Sequence, residues 1–388
     1  MSSFLKALRG NLRQVWPSRR EISSIPQLIP AGIIIEEETL QHYQPAHYYP
    51  VKIGDVYQSR YKVAGKLGYG AYSTSWLCRD LQVDKYAVLK VSTSLPDFPT
   101  ATDRELKVYE HLSKVESTHP GQALVRELYD SFDLHGPGGK HQCLVLQPMH
   151  MTLLEMLAMN PKPFDMPLLK MTVRRLLLAL DFLHSEAGVI HTVEDPSPRK
   201  LIDQSRIVYK SRKFRRPAKG KGYGFPILCD FGEARIGRNQ ESGPFVQPHI
   251  YRAPEVIFEM RWGSPVDIWN LAGLIWDLFE GEHLFGDIFN SRGRHEAFRH
   301  LALMVALIGP PPSDFVRRSE TTEQCFDPSG AWIAHHEEPI PNVSLEKLEK
   351  RLSGEEQELF LAFLKSMLKW MPEERQTAKQ LLEHPFLL

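Results

Sequence analysis

A few residues of this chain are spaced so that together they could handle phosphate. Gly68-Tyr69-Gly70-Ala71-Tyr72-Ser73 offers a turn whose small residues let backbone N–H groups approach oxyanions. Lys90, in Ala87-Val88-Leu89-Lys90-Val91, is a cation in an apolar run, and burying it alone would be costly. Glu105, fifteen residues on, supplies an anionic partner while the ammonium also reaches a phosphate. Asp230, in Cys229-Asp230-Phe231-Gly232, is a carboxylate followed by glycine at the end of a short apolar run, which suits a metal-binding turn. Each signal alone is weak. A G-x-G also occurs in dinucleotide-binding turns, Lys90 by itself could be an edge-strand lysine facing water, and D-F-G arises often by chance.

The elements around them narrow the choice. Tyr61–Leu67, Ser75–Arg79 and Tyr86–Val91 read as strands, Asp103–Ser113 as a helix with Leu106, Tyr109 and Leu112 on one face, and Gln142–Gln147 as a buried strand. The glycine turn therefore joins two strands. A dinucleotide-binding turn must instead open a helix, because the pyrophosphate sits on a helix N-terminus, so a hairpin folding over phosphates fits better. After Pro148 the pattern turns helical: Met166–Ser185 carries Leu169, Val173, Leu176, Leu177, Leu180 and Leu183 at three- and four-residue spacing. Ser264-Pro265 opens a second helix, Val266–Glu280, that Gly281 closes, and two more are expected in Gly354–Leu388. Pro226–Leu228 reads as a buried strand leading into Asp230.

These elements predict an α+β architecture of two lobes: an N-terminal extension over 1–49, poorly ordered; a β-rich lobe over 50–147; and a mainly helical lobe over 148–388. At about 196–222 the second lobe carries a basic insert. Residues 199–221 hold ten Lys or Arg against one acid, Asp203, which is read as a solvated surface insert, with a docking patch for an acidic partner as the alternative.

Bulk composition excludes several classes. Forty-seven basic and 47 acidic residues cancel, so no global charge points to nucleic acid or to a membrane. No run of 18 apolar residues suggests a spanning helix. The four cysteines are scattered without a C-x-x-C pair, which suits reduced intracellular thiols rather than disulfides or zinc. Residues 1–20 contain Lys6, Arg9, Arg13, Arg19 and Arg20 and no acid. They are read as a basic arm, with a mitochondrial leader as the alternative. The expected location is cytoplasm, nucleus or both, and the expected state is a monomer.

After Asp230 come Tyr251-Arg252-Ala253-Pro254-Glu255, then Asp267-Ile268-Trp269, then Arg375. Taken with the glycine turn, Lys90 and Glu105, the set in this order resembles the eukaryotic protein kinases. Tyr49-Pro50-Val51-Lys52-Ile53-Gly54-Asp55, Arg60-Tyr61, Lys66-Leu67-Gly68, Ser73-Thr74-Ser75-Trp76-Leu77-Cys78 and the pair His191-Thr192 are similar to the SR-protein kinase group in particular. The resemblance runs from about Tyr49 to Leu388. It implies a bilobal kinase fold and ATP- and magnesium-dependent phosphorylation of serine in Arg/Ser-rich proteins. It also implies roles: Leu67, Gly68, Gly70 and Ser75 around the nucleotide; Lys90 on the phosphates, paired with Glu105; and Leu146–Met149, with Gln147 and Met149, as the hinge that meets adenine. Asp230 would hold magnesium, Glu255 and Arg375 would form a structural ion pair, and Asp267 would brace the catalytic loop from below. Ser75 departs from the usual valine against adenine, which weakens that wall.

The pattern breaks at one point. In Val189-Ile190-His191-Thr192-Val193-Glu194-Asp195-Pro196, the family's Asp-Leu-Lys-x-x-Asn after Thr192 is missing, and with it the proton-accepting Asp and the metal-holding Asn. This looks like a deletion rather than a set of substitutions. A displaced exon boundary would leave the same join, and the transcript across Thr192–Val193 distinguishes the two. Asp195 is a weak stand-in for the base, being two positions late and biased to extended geometry by Pro196. With Thr192 where an arginine usually docks an activation-loop phosphate, and only Ser242 (besides Tyr251) as a hydroxyl of phosphosite type in that segment, activation by phosphorylation is not expected. Three readings follow: an active kinase with a truncated loop, a pseudokinase that binds ATP or a protein partner, and a scaffold that binds no nucleotide.

Overall fold

The computed structural model describes residues 30, 33–40, 43–94, 101–136, 138–159, 162–192, 209, 211, 224–241 and 246–388. Ile35–Leu388 forms one compact unit, and Met1–Ile34 is a separate one. The basic arm, Val193, Glu194, Asp195, Ser242 and all of the basic insert except Tyr209 and Ser211 lie outside the described residues.

Six strands make an antiparallel sheet in the order β1-β2-β3-β4-β6-β5: β1 Val56–Tyr57, β2 Tyr61–Tyr69, β3 Ser73–Asp80, β4 Lys85–Ser92, β5 Leu128–Gly136 and β6 Gly139–Leu146. Strand β3 alternates strictly, with Thr74, Trp76, Cys78 and Asp80 inward. Strand β4 sits centrally and buries both faces. Leu89 and Val91 join Tyr61, Val63 and Trp76 on one side, while Val88 joins Leu144, Leu146, Val108 and Tyr109 on the other. Helix α1, Ala101–Leu112, covers that second face. The edge strand β5 alternates between half-buried and exposed residues.

Beyond the sheet, α2 Leu153–Met159, α3 Met166–Asp181, α4 Pro265–Glu280, α5 Ala297–Ile308, α6 Gly354–Met367 and α7 Ala378–Leu382 build the helical part. The Asp165 carboxylate accepts from the Leu168 N–H at 3.0 Å and caps α3. The predicted apolar stripe (Leu169, Val173, Leu176, Leu177, Leu180) faces the core. Helix α4 is buried nearly all round and ends at Gly281, whose φ of +81° suits only glycine well. The bilobal α+β architecture is the expected one.

Several expectations change. The extension does not run to residue 49: Leu40, Tyr43 and Tyr48 are buried in a cluster of their own with Tyr69 against it, so ordered packing begins near Ile35. The helix read as Met166–Ser185 stops at Asp181 and widens into a π-helical turn, Phe182–Ala187, where Ser185 Oγ donates to the Asp181 carbonyl at 2.6 Å. Pro226–Leu228 is not a buried strand. Only Leu228 bridges, to Val125, and the segment is half-buried. Tyr209, within the insert read as solvated, is half-buried and sets its ring edge-on to Trp76 at 5.7 Å. All four cysteines are free thiols.

Candidate nucleotide site

Cross-strand register aligns the pieces. Gly68 faces Ser75 across the β2–β3 hairpin, and Ser75 faces Lys90 on β4, so the glycine turn overhangs the lysine. The turn closes through Gly70 N–H donating to the Ser73 carbonyl at 2.8 Å. A Cβ built on Gly68 meets nothing within 4 Å, which leaves the backbone open to an approaching oxyanion. Leu67 is half-buried and packs against the cluster that holds Val88 and Leu144.

Lys90 Nζ donates to Glu105 Oε2 at 2.6 Å and lies 3.4 Å from Asp230 Oδ1. Its side chain is 18 % exposed and that of Glu105 only 1 %, while Asp230 is 48 % exposed. The ammonium thus joins α1 to the segment carrying Asp230. Lys90 beside Asp230 outweighs the effect of burial and holds the carboxyl below its ordinary value, so it stays anionic. Asp230 takes φ +72°, an uncommon conformation for a non-glycine residue. Phe231 follows it, with its ring anchored in the interior. That ring is fully buried, edge-on to Tyr109 at 5.2 Å and to His191 at 5.3 Å, while His191 Nε2 meets the Cys229 carbonyl at 3.0 Å.

In the segment expected to meet adenine, Gln147 N–H donates to the Glu127 carbonyl at 3.0 Å, and the Gln147 carbonyl accepts from Arg126 Nε at 2.9 Å. Met149 follows in the connection to α2 and is half-buried.

Below the cleft, Asp267 holds the start of the broken loop. Its carboxylate accepts from His191 N–H at 2.8 Å and Thr192 N–H at 2.9 Å, and pairs with His184 Nε2 at 2.8 Å. Burial pushes the Asp267 carboxyl up, but these bonds and the histidines outweigh it and hold the group below its ordinary value. His184 lies in the π-helical turn, which is what aims it at Asp267. Thr192 Oγ1 donates to the Glu233 carbonyl at 2.6 Å. Arg104 on α1 reaches Glu233 Oε2 at 2.7 Å and the Gly232 carbonyl at 2.9 Å, so a carboxylate ties α1 to the segment after Asp230. Glu255 and Arg375 form a bidentate pair at 2.7 and 2.6 Å, with both side chains at most 1 % exposed.

The sequence reading missed Arg104, Glu233 and His184, because nothing local marks a residue whose partner is distant in the chain. It named Lys66 only as part of a similar string. The structure buries that lysine completely, and a charged residue in the middle of an otherwise half-buried strand was the available signal.

The residues present suit a nucleotide with a divalent cation. There is an open glycine turn, an ammonium already neutralised by a buried carboxylate, and a half-exposed aspartate at the mouth. Magnesium tolerates a single protein carboxylate when phosphate oxygens and water complete its shell.

Comparison with known proteins agrees with this geometry. The protein kinase domain profile matches residues 61–387. A serine/threonine protein kinase of Aspergillus fumigatus is 44 % identical over 385 residues, covering 96 % of this chain and 95 % of its own length. The serine/threonine-protein kinase SRPK of Physarum polycephalum is 30 % identical over 400 residues, covering 91 % of each. Human SRSF protein kinase 3 is 23 % identical over 515 residues, covering 91 % of this chain and 90 % of its own.

Proposed function

The chain belongs to the protein kinase family, among relatives that are serine/threonine kinases, and from that premise we propose that it binds magnesium–ATP and phosphorylates serine in Arg/Ser-rich proteins. The observation that carries the nucleotide half is the Lys90 ammonium held between Glu105 and Asp230, at 2.6 and 3.4 Å. A scaffold with no nucleotide has no need of an ammonium held between a buried carboxylate and a half-exposed one, since apolar groups in place of a buried ion pair are often as stabilising or more so.

In this reading the turn from Gly68 to Gly70, with no side chain at either glycine, covers the phosphates, and Lys90 fixes one of them while Glu105 fixes Lys90. Asp230 holds magnesium, and bound magnesium supplies charge neutralisation on the transferring phosphoryl group. Gln147 and Met149 meet the adenine edge, and Ser75 leaves that wall thinner than valine would. Relatives named SRPK and SRSF protein kinase 3 support the Arg/Ser-rich substrate class.

Transfer is slow in this reading. Val193 follows Thr192 where the family places its proton acceptor. Losing a general base costs about 10²–10⁴-fold, while positioning and charge neutralisation, which supply most of phosphoryl-transfer catalysis, remain. The same Val193 favours a second reading, a pseudokinase that binds ATP without transferring it.

The deciding experiment incubates the full chain with magnesium and γ-labelled ATP and an Arg-Ser repeat peptide, beside Lys90→Met. Slow labelling by the wild type that vanishes in Lys90→Met supports the kinase. ATP binding without labelling leaves the pseudokinase, and absence of ATP binding overturns both.

A further inference from the structure

Lys66 is the most completely buried charge near the site, and no role assigned so far uses it. It lies on β2 two residues before Gly68, and its side chain is 0 % exposed. An ammonium so placed is costly unless fully paired. Its partners come from outside the sheet. Glu37, itself 1 % exposed, forms a short ion pair with it, and Glu36 stands 3.6 Å away. The faces of Tyr69 and Trp76 complete the shell, at 5.3 and 6.0 Å.

Both glutamates belong to a 3-10 turn, Glu36–Thr39, that precedes the first strand. Glu36 takes φ +57°, a strained conformation for a non-glycine residue that persists only where its surroundings hold it. They do so here: Glu38 Oε2 accepts the Ile35 N–H at 3.0 Å, and Ser211 Oγ donates to the Glu36 carboxylate. Leu40, Tyr43 and Tyr48 pack together with Tyr69, the Ser94 N–H donates to the His47 carbonyl at 2.8 Å, and the Tyr48 hydroxyl reaches the carbonyls of Gly70 and Ala71 at 3.4 Å. Glu37 and Tyr48 therefore grip the glycine hairpin at two places, Glu37 at its root through Lys66 and Tyr48 at its tip.

The root is also where the hairpin's direction is set. Lys66 pairs with Trp76 and Gly68 with Ser75, so Leu67 is an extra residue and the register slips between them. A bulge of this kind bends and twists the strand that carries it. The cation that anchors it fixes where the next turn points, over Lys90.

We propose that Lys66 and Glu37 are positioning residues for the nucleotide: Glu37 holds the bulge at Lys66 and Tyr48 holds the tip at Gly70, so that the hairpin covers the phosphates. The inference rests on the nucleotide reading above. It requires that disturbing the grip weaken recognition of phosphates and leave recognition of the adenine and ribose intact.

The test measures binding of magnesium–ATP and of adenosine, which carries no phosphate, to the full chain by calorimetric titration. Wild type, Glu37→Gln, Lys66→Arg and Tyr48→Phe are compared. Glu37→Gln is expected to weaken ATP binding about tenfold, and Tyr48→Phe by about threefold, with adenosine affinity unchanged in both; Lys66→Arg is expected to restore most of the wild-type ATP affinity. Tyr48→Phe leaves the buried ion pair untouched, so it reports even if Glu37→Gln does not fold. Equal losses for ATP and adenosine, or unchanged affinity for both, would show the grip to be structural only and overturn the inference while sparing the nucleotide site. A wild-type chain that binds neither ligand overturns both.

Discussion

Replacing Asp267 tests the claim that one buried carboxylate holds the truncated loop in place. It accepts from the His191 and Thr192 N–H groups and pairs with His184, all between 2.8 and 2.9 Å, and the carboxylate itself is buried. Bonds to a charged acceptor contribute about 1.5–3 kcal/mol each. Asp267→Asn keeps the shape but turns an NH₂ donor toward one of two backbone donors, which loses one bond and sets donor against donor, for about 2–4 kcal/mol. Asp267→Ala removes all three acceptor contacts and orphans two amides, for about 4–6 kcal/mol, a large part of a total of about 5–15 kcal/mol. The assay is urea unfolding of the full chain followed by both circular dichroism and tryptophan fluorescence, since coincident curves are needed before a two-state free energy is extracted. The pH dependence carries a sign. The Asp267 carboxyl is held below its ordinary 3.8, so its contribution is present above that value and is lost only as pH falls through the depressed one. The gap between wild type and variant should still be present at pH 5 and be lost only as pH falls through that depressed value. Both variants within 1 kcal/mol of wild type, or a gap that closes near neutrality, would refute the reasoning.

Two further outcomes follow from buried charge elsewhere. Arg375→Met strands the Glu255 carboxylate and should cost about 3–5 kcal/mol in the same urea assay, whereas Glu255→Met/Arg375→Met together should cost less than the two singles summed, with a coupling of about 1–3 kcal/mol; strict additivity would contradict a direct pair. Glu280, at the end of α4, has its carboxyl pushed up to about 7, first by burial and then by the Glu349 charge, against Arg351 and Lys350. A carboxyl raised in the folded state stabilises below its unfolded value, near 4.5, and that contribution is lost as pH rises through 7. Screening of this half-buried group by water reduces the effect to about 1 kcal/mol, so Glu280→Gln should flatten stability between pH 5 and 8 by that amount, and an unchanged profile would contradict it.

What the sequence made legible is what short-range pattern encodes. The β2–β3 hairpin was readable because two strands flank a glycine turn, and α3 and α4 because proline and glycine punctuate long apolar periods. Pairings across the chain, such as Lys90 with Glu105 and Asp230, came from ordered motifs and resemblance together. The missed features have physical reasons. Strand β5 is an edge strand with Asp130, Ser131 and Asp133 in it, so its alternation is faint. The π-helical turn after Asp181, in which the Ser185 hydroxyl donates to the Asp181 carbonyl, keeps the apolar period of the helix before it, so periodicity does not mark the change. Leu40, Tyr43 and Tyr48 are buried together without repeating at a helix or strand period, so the stretch around them looked unstructured. Asp195, the stand-in base, lies outside the described residues, and its role is tested by activity alone.

The most direct test of the account is thermal melting of the full chain with and without magnesium–ATP, beside Lys90→Met. Ligand at 100 times its Kd adds about 2.7 kcal/mol, and at about 2–4 °C per kcal/mol for 150–250 residues, less for a longer chain, this predicts a rise of about 3–6 °C. The account predicts that rise for the wild type and its loss in Lys90→Met. No rise in the wild type, or an equal rise in Lys90→Met, would contradict it.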